Sequence, residues 1–276
     1  MNKNIRWSWS ILLCILVLSG GAVAEETGEL TDGDLKVDHG QVNWTDRTIT
    51  ATGSGAPDLK APNVAVARLG AERVAKLDAL RNIMEALKGV QLSSEITVEN
   101  EMVTNSKMSS KIQGVIRRFK VLKTKYYSDG GVDLIVQVSL DGQLGSSLVK
   151  TGTKGEALPA EGKATHTGLV IDARGLKLLP ALSPKILDES GKVVYDSEFL
   201  TEEALENQGV VAYFNDLGAA KKTKRVASSP LVFKAMKLSK GSKTDLVLSN
   251  ADASKLKDPG SNLKFLAEGK VVLVTD

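Results

Sequence analysis

The feature that most constrains the fold is a proline-free stretch of helical character at 63–88. Pro62 stands just ahead of it, where the start of a helix tolerates proline, and Gly89 provides a stop at the far end. Its apolar residues recur at spacings of three and four, which places them on one helical face: Val66, Gly70, Val74, Leu77, Leu80, Met84 and Leu87. Roughly 26 residues at a rise of 1.5 Å form a helix of about 39 Å. A helix of that length must lie across a sheet or a partner to cover its apolar face.

The residues on either side of this helix show patterns typical of β-strands. A strand or hairpin is predicted at 41–53, a bent strand at 90–103 and a long basic strand at 112–127. A tight-turn motif at 128–131 then precedes 132–140, where apolar and polar residues alternate as in a half-buried strand. The predicted fold class is therefore α+β, with a long N-terminal helix packed on an antiparallel sheet.

A change of composition separates this part of the chain from the rest. The segment 145–165 is rich in Gly, Ser, Thr and Lys, as flexible linkers are. We predict a helix-on-sheet domain at 41–144, a linker at 145–165 and a second, mixed α/β domain at 166–276. Short helices are expected there after Thr201, a candidate N-cap, and after a second cap that is either Ser249 or Asn250.

The first 24 residues have the pattern of a secretory signal. A basic start is followed by an apolar run at 11–18 and by the cleavage motif Ala22-Val23-Ala24. An acidic, Gly-containing segment at 25–40 is predicted to be a flexible leader. The sequence therefore predicts export to the periplasm; an uncleaved anchor and lipidation at Cys14 are the alternatives.

Cleavage after Ala24 changes what the charge implies. The chain has 36 basic and 33 acidic residues, a formal net charge of +3, and loss of Lys3 and Arg6 lowers that charge to +1. Nucleic-acid binders need a surplus of cations, so this class of partner is excluded. No second apolar run is long enough to span a membrane.

The cysteine and histidine counts restrict the chemistry further. One cysteine and two histidines exclude a disulfide framework, a thiolate zinc cluster and a histidine relay. We expect no cofactor, no metal site built on these residues and no catalytic residue, and hence a protein that is not an enzyme.

Polar residues follow two apolar strands of the second domain. Asp172 and Arg174 come after one strand, and Asn250 and Asp252 come after another. Because loops at strand ends often bind ligands in α/β folds, these four residues are a speculative polar cluster for a small ligand or a hard cation. The alternatives are a surface turn with a local ion pair for the first two and helix capping for the other two.

A basic stretch runs through the predicted third strand, at Arg117, Arg118, Lys120, Lys123 and Lys125. It is consistent with binding to an anionic lipid, a glycan or an acidic partner. It is equally typical of a sheet edge that lysines protect against further strand pairing.

The segment 48–142 resembles a known family. It has an alanine-rich helical run at 67–85, a Gly89-Val90 exit, an Asp129-Gly130 turn and a strand at 136–140. In these features it resembles the twenty-kilodalton membrane-associated lipoprotein family, and it is similar to the N-terminal domain of flagellar assembly protein T. The C-terminal part resembles a domain appended to this one in bacterial envelope proteins.

The resemblance implies an α+β domain in a bacterial cell-envelope protein and supplies no catalytic residues. No cysteine follows the predicted cleavage site, which favours a soluble periplasmic protein while allowing peripheral association with the outer membrane. We therefore expect a non-catalytic binding or assembly component of an envelope or flagellar structure, with a protein partner there. The alternative is an envelope sensor that binds a small ligand or ion through its C-terminal domain.

Overall fold

A long helix on a four-stranded antiparallel sheet forms the N-terminal part of the chain. The helix is α1 (Val64–Lys88), and the strands are β1 (Gln41–Asn43), β2 (Thr48–Gly55), β3 (Lys120–Tyr126) and β4 (Val132–Ser139), in the order β1-β2-β4-β3. Asn63 caps the helix, because its side chain accepts a hydrogen bond of 3.0 Å from the backbone N–H of Val66. The predicted α+β class is confirmed, and the predicted helix agrees with α1 to within one residue.

The computed structural model describes residues 40–154, 158, 166–258 and 261–276. The chain divides into two units, Met1–Lys36 and Val37–Asp276, and every described residue belongs to the second. The predicted signal at 1–24 lies outside the described residues, as does the predicted leader up to residue 39.

Helix α1 packs on the sheet with a different face from the one the sequence predicts. The buried residues follow a spacing of four and are mostly alanine: Ala67, Ala71, Ala75, Ala79, Ile83 and Leu87. Of the predicted stripe, Leu87 is buried and Leu80 and Met84 pack partly buried against the core, whereas Val66, Val74 and Leu77 are 46%, 50% and 67% exposed. The predicted face is therefore wrong in the first half of the helix, where small side chains meet the strands instead.

Two glycines in β2 explain this orientation. A Cβ atom built on Gly53 would lie 2.6 Å from the Cβ of Ala79, and one built on Gly55 would lie 2.7 Å from the carbonyl carbon of Ala71. Both distances are far below van der Waals contact, so the helix and the strand approach as closely as their backbones allow. Only alanine fits between them, and the larger apolar side chains must point elsewhere.

The segment between α1 and β3 is mostly helical, so the strand predicted at 90–103 and the first part of the one predicted at 112–127 are wrong. It forms α2 (Val98–Thr104) and α3 (Ser106–Ile116), capped by Thr97 and Asn105. The buried residues of α3 are Met108, Ile112 and Ile116, which recur every four residues as a helix requires. Of the strand predicted at 112–127, only Lys120–Tyr126 is extended.

The segment predicted to be a linker begins inside a helix. Helix α4 (Gln143–Leu148) buries Leu144 and Leu148. Further along, 155–157 and 159–165 lie outside the described residues. The division into domains at 41–144 and 166–276 stays a prediction.

The C-terminal part contains two four-stranded sheets. A fully parallel sheet has the order β8-β12-β5-β9, formed by β5 (Gly168–Asp172), β8 (Ala212–Phe214), β9 (Pro230–Lys234) and β12 (Val271–Val274). The other has the order β10-β11-β6-β7, formed by β6 (Ile186–Leu187), β7 (Val193–Tyr195), β10 (Lys237–Leu238) and β11 (Leu246–Val247). Only its β11–β6 pair is parallel, so the part is mixed α/β.

Short helices connect these strands. The predicted cap Thr201 is confirmed, and of the two candidates Ser249 and Asn250 the structure selects Ser249. The helices are α5 (Glu202–Gln208), α6 (Leu217–Lys222), α7 (Asn250–Lys255) and α8 (Lys264–Ala267). Thr201 accepts a hydrogen bond from the backbone N–H of Ala204, and Ser249 accepts one from that of Asp252, each at 3.1 Å. None of the helices in the described ranges combines the length and apolar character needed to cross a bilayer.

Two arginines hold the segment 208–211: the buried Arg47 of the N-terminal part and the half-buried Arg225 of the C-terminal part. Arg47 donates to Asp141 and to the carbonyl of Val211, each at 2.5 Å. Arg225 donates to the carbonyls of Gln208 and Gly209, at 2.5 and 2.9 Å. The backbone carbonyls of the segment 208–211 thus accept hydrogen bonds from both guanidinium groups. A single hydrophobic cluster also extends through both parts.

Replacement of Gly53 by alanine tests the close approach of α1 and β2. We expect G53A to lower the free energy of unfolding by about 3 kcal/mol or more, because the helix must move away from the sheet. Gly70 is the matched control, since a Cβ there has nothing within 4 Å. G70A should raise stability by about 0.5–1 kcal/mol through helix propensity. Urea unfolding measures both, and equal effects would contradict the proposed contact.

Replacement of Arg47 by methionine tests the junction. We expect R47M to lower the free energy of unfolding by about 2–3 kcal/mol, because Asp141 and the Val211 carbonyl lose their hydrogen-bond donor. Breaking a fully buried ion pair costs about 3–5 kcal/mol. The expected loss is smaller here because the side chain of Asp141 is partly exposed to water. The control K76M breaks an exposed pair with Glu72 and should change stability by less than about 0.5 kcal/mol. Fluorescence of Trp44, which packs edge-on against Tyr213, reports unfolding. A loss in R47M no larger than that in K76M would show that the junction contributes little.

Candidate functional site

Asp172 and Arg174 lie at the carboxyl end of the parallel sheet. Asp172 is the last residue of β5, and Arg174 turns back to donate two hydrogen bonds to its carboxylate, at 2.8 and 2.7 Å. These bonds hold the pKa of Asp172 below its ordinary value and raise the pKa of Arg174. The surface turn with a local ion pair, an alternative from the sequence, is therefore what forms here.

Further charged groups surround this pair, because the carboxyl ends of parallel strands meet at one edge. Asp276 follows β12 and accepts hydrogen bonds from the backbone N–H groups of Gly175, at 2.7 Å, and Lys177, at 3.3 Å. Asp216 follows β8 and caps α6. Both carboxylates help to raise the pKa of Arg174. Sequence reasoning missed Asp216 and Asp276, although each follows a short apolar strand.

Asn250 and Asp252 lie at the start of α7 and have partners of their own. Asp252 accepts from the Ser249 hydroxyl at 2.9 Å and from Lys255 at 3.0 Å, while the backbone N–H of Asn250 donates to Glu189 at 2.8 Å. In the described residues, no hydrogen bond or ion pair links these two with Asp172 or Arg174. Convergence of all four side chains stays a prediction, and the capping role supposed for the α7 pair falls mainly to Ser249.

The described residues contain no group of three or more His, Cys, Asp or Glu side chains placed to hold a metal ion. The Asp172–Arg174 edge is therefore a charged rim whose carboxylates already have donors. Arg174 keeps 43% of its side chain exposed, so it can present a cation to a ligand.

A second candidate is the apolar surface of α1 that points away from the sheet. We call it the outer face of α1; it consists of Val66, Leu69, Val74 and Leu77, which are 46–67% exposed. At 100° per residue these side chains lie within a sector of about 140°. An apolar stripe of this kind on a soluble surface is typical of a site for a protein or membrane partner, whereas scattered apolar residues are not.

Two cations lie on the outer face of α1 itself. Arg73 and Arg81 are exposed, and at 100° per residue they project within the same sector as the four apolar side chains. Arg68 stacks over the ring of Tyr126, with the guanidinium carbon 5.2 Å from the ring centre, so the aromatic end of β3 adjoins the helix. The surface therefore combines apolar side chains with positive charge.

The basic stretch predicted from the sequence is divided between two elements. Arg117 and Arg118 follow the end of α3, whereas Lys120, Lys123 and Lys125 lie in β3. The expectation that all five alternate along one strand is therefore wrong. Strand β3 is an edge of its sheet and carries three lysines, which is consistent with the alternative of an edge that lysines protect.

Replacement of Arg174 by alanine tests the ion pair at the sheet edge. We expect R174A to raise the pKa of Asp172 towards the ordinary value of about 3.9, measured by NMR titration of the side-chain carboxyl carbon. The control K234A should raise the pKa of Asp172 less, because Lys234 lowers that pKa only through its charge and donates no hydrogen bond to the carboxylate.

The sign of the stability effect follows from the lowered pKa. The pair stabilises the fold above the ordinary pKa of aspartate, and this contribution is lost as the pH falls through the lowered value. Stability of R174A should therefore depend less on pH in acid than that of the unchanged protein. An unchanged Asp172 pKa in R174A would disprove the assignment.

Comparison with known families bears on the C-terminal part alone. The family model described as Treponema pallidum Tp0624, second domain, matches residues 168–276, from the first residue of β5 to Asp276. No curated protein matches the chain. The C-terminal part is thus similar to the second domain of that Treponema pallidum protein, consistent with the appended C-terminal domain expected from the sequence.

Proposed function

We propose that this protein is a non-catalytic component of the bacterial cell envelope that binds a protein partner through the outer face of α1. The observation that carries the proposal is the exposure of Val66, Leu69, Val74 and Leu77 on a helix whose opposite side is fixed to a sheet. A rigid helix presents such side chains at fixed spacing, as helix-recognition surfaces do.

Sequence features supply the cellular context. The signal pattern at 1–24 supports export, and the likeness of 48–142 to the twenty-kilodalton membrane-associated lipoprotein family and to flagellar assembly protein T supports a role in envelope or flagellar assembly. The similarity of 168–276 to a Treponema pallidum domain is consistent with a bacterial source. We place the protein in the periplasm, in peripheral association with the outer membrane.

The charges on the outer face of α1 specify the partner further. Arg73 and Arg81 are exposed, and no described residue forms an ion pair with either. We therefore infer an occupant with apolar side chains flanked by carboxylates, since such a segment satisfies both kinds of contact. A second copy of this chain would instead bring the same cations together.

The alternative is an envelope sensor that binds a small ligand at the charged sheet edge. The observation in its favour is that Asp172, Asp216 and Asp276 all act on Arg174. These carboxylates already accept hydrogen bonds from donors within the protein. The structure therefore supports partner binding at the outer face of α1 better than ligand binding at the sheet edge.

Site-specific photo-crosslinking in an export-competent, flagellated bacterium tests the proposal. A crosslinking amino acid at Leu69 should form one discrete adduct with an envelope protein, and the same residue at Val103, which is 81% exposed on α2, is the matched control. A charge on the helix, as in L77E, should reduce the Leu69 adduct at least tenfold while changing stability by less than about 0.5 kcal/mol, because Leu77 is exposed.

Two results would contradict this proposal. Equal adducts at Leu69 and Val103 would show that the outer face of α1 has no special affinity. Recovery of the uncleaved precursor in the cytoplasm would remove the envelope location.

A further inference from the structure

A cleft lies where the N-terminal and C-terminal parts meet, away from the outer face of α1. It is open to solvent and has a volume of about 430 Å³. Residues of α3, α4 and α5 and the residues after α4 line it: Lys111, Ser146, Val149, Lys150, Thr151, Glu202, Leu205 and Glu206. The backbone N–H of Gly142 donates to the carbonyl of Glu206 at 2.7 Å, which fixes α5 beside the start of α4. The volume is within the usual range of small-molecule sites.

The charges of the cleft belong to different elements. Glu202 and Glu206 are four residues apart on α5 and so lie on one side of that helix. Lys111 comes from α3, and Lys150 follows α4. The cleft thus has an acidic wall from the C-terminal part and a basic wall from the N-terminal part.

These four charges are not used by the protein itself. In the described ranges, none of the four takes part in a side-chain hydrogen bond or an ion pair with another residue, although opposite charges border the same cleft. Two carboxylates at a spacing of four on a helix repel each other, so the acidic wall is unfavourable without a cation. This arrangement leaves two ammonium groups and two carboxylates available to a ligand.

Apolar and hydroxyl groups complete the lining. Val149 and Leu205 are buried, while Ser146 and Thr151 are half-buried and contribute hydroxyl groups. An aliphatic or peptide spacer can therefore pack between the charged walls while its ends meet opposite charges.

We propose that this cleft binds a small zwitterion whose ammonium and carboxylate groups are separated by a short chain, as in an ω-amino acid or a short peptide with free ends. The ammonium meets Glu202 and Glu206, and the carboxylate meets Lys111 and Lys150. A ligand with one kind of charge meets a wall of like charge, so the cleft selects for both charges together. This inference does not depend on the outer face of α1.

Titration calorimetry and NMR with the chain from residue 25 onwards test the proposal. The probes are 6-aminohexanoate and trialanine, and their comparison distinguishes an amino-carboxylate from a peptide. The single-charge analogues 6-acetamidohexanoate and 6-aminohexanamide should bind at least tenfold more weakly than 6-aminohexanoate. Chemical-shift changes should centre on Val149 and Leu205.

Matched variants locate the site. E206Q and K150Q should each weaken zwitterion binding at least fivefold, whereas E203Q on α5 and K107Q on α3, which do not line the cleft, should leave it unchanged. All four side chains are exposed, and equal thermal unfolding verifies that each variant folds. The L77E variant should also bind the probes normally, because it tests only the outer face of α1.

Absence of binding by both zwitterions would overturn the proposal. Equal affinity for the single-charge analogues would overturn it as well, as would equal binding by E206Q and E203Q.

Discussion

The contact between α1 and β2 determines which side chains of α1 are exposed to solvent. Gly53 and Gly55 bring the two backbones so close that only the methyl groups of alanine fit between them. A large side chain at Ala75 or Ala79 would separate the elements, so in this half of the helix the larger apolar residues Val66, Leu69, Val74 and Leu77 lie on the other side, whereas Ile83 and Leu87 further along are buried. The outer face of α1 is thus a direct result of how the helix is packed.

The junction between the two parts shows a different kind of constraint. Burial lowers the pKa of Arg225 to about 10, with a further contribution from the charge of Arg47, so Arg225 still carries its charge at neutral pH. Its Nε atom and the side-chain oxygen of Gln208 are buried without a hydrogen-bond partner in the described structure. Buried cations of this kind add little net stability, but they fix which backbone groups can meet. They hold the segment 208–211, which leads out of α5, and α5 supplies the acidic wall of the cleft.

The limits of α1 could be read from the sequence because its caps and its freedom from proline are local signals. Its buried face could not be predicted in this way. A search for apolar periodicity favours valine and leucine as the buried residues, whereas the close approach of Gly53 and Gly55 requires alanine. The strand predicted at 90–103 and the first part of the strand predicted at 112–127 were wrong for a related reason. Apolar residues such as Val98 and Ile112 favour strands on composition, but the caps Thr97 and Asn105 start helices there.

The candidate sites also differ in whether their residues are neighbours in the sequence or meet only in the folded chain. The local pair of Asp172 and Arg174 follows from neighbouring residues, whereas Asp276 reaches this edge only because β12 pairs with β5. The cleft is less accessible still to sequence reasoning, since its walls come from α3, from the residue after α4 and from α5. Side chains that depend on non-local pairing carry no signal in one sequence.

The position of β12 within its sheet has a consequence for how the chain acquires its structure. Val271–Val274 pairs with β5 on one side and with β8 on the other, and β5 also pairs with β9. The interior strand β12 follows these three strands in the sequence, so it joins β5 to β8 across long intervening segments. Pairing of strands so far apart in the sequence requires the closure of long loops, which makes the folding of this part slow.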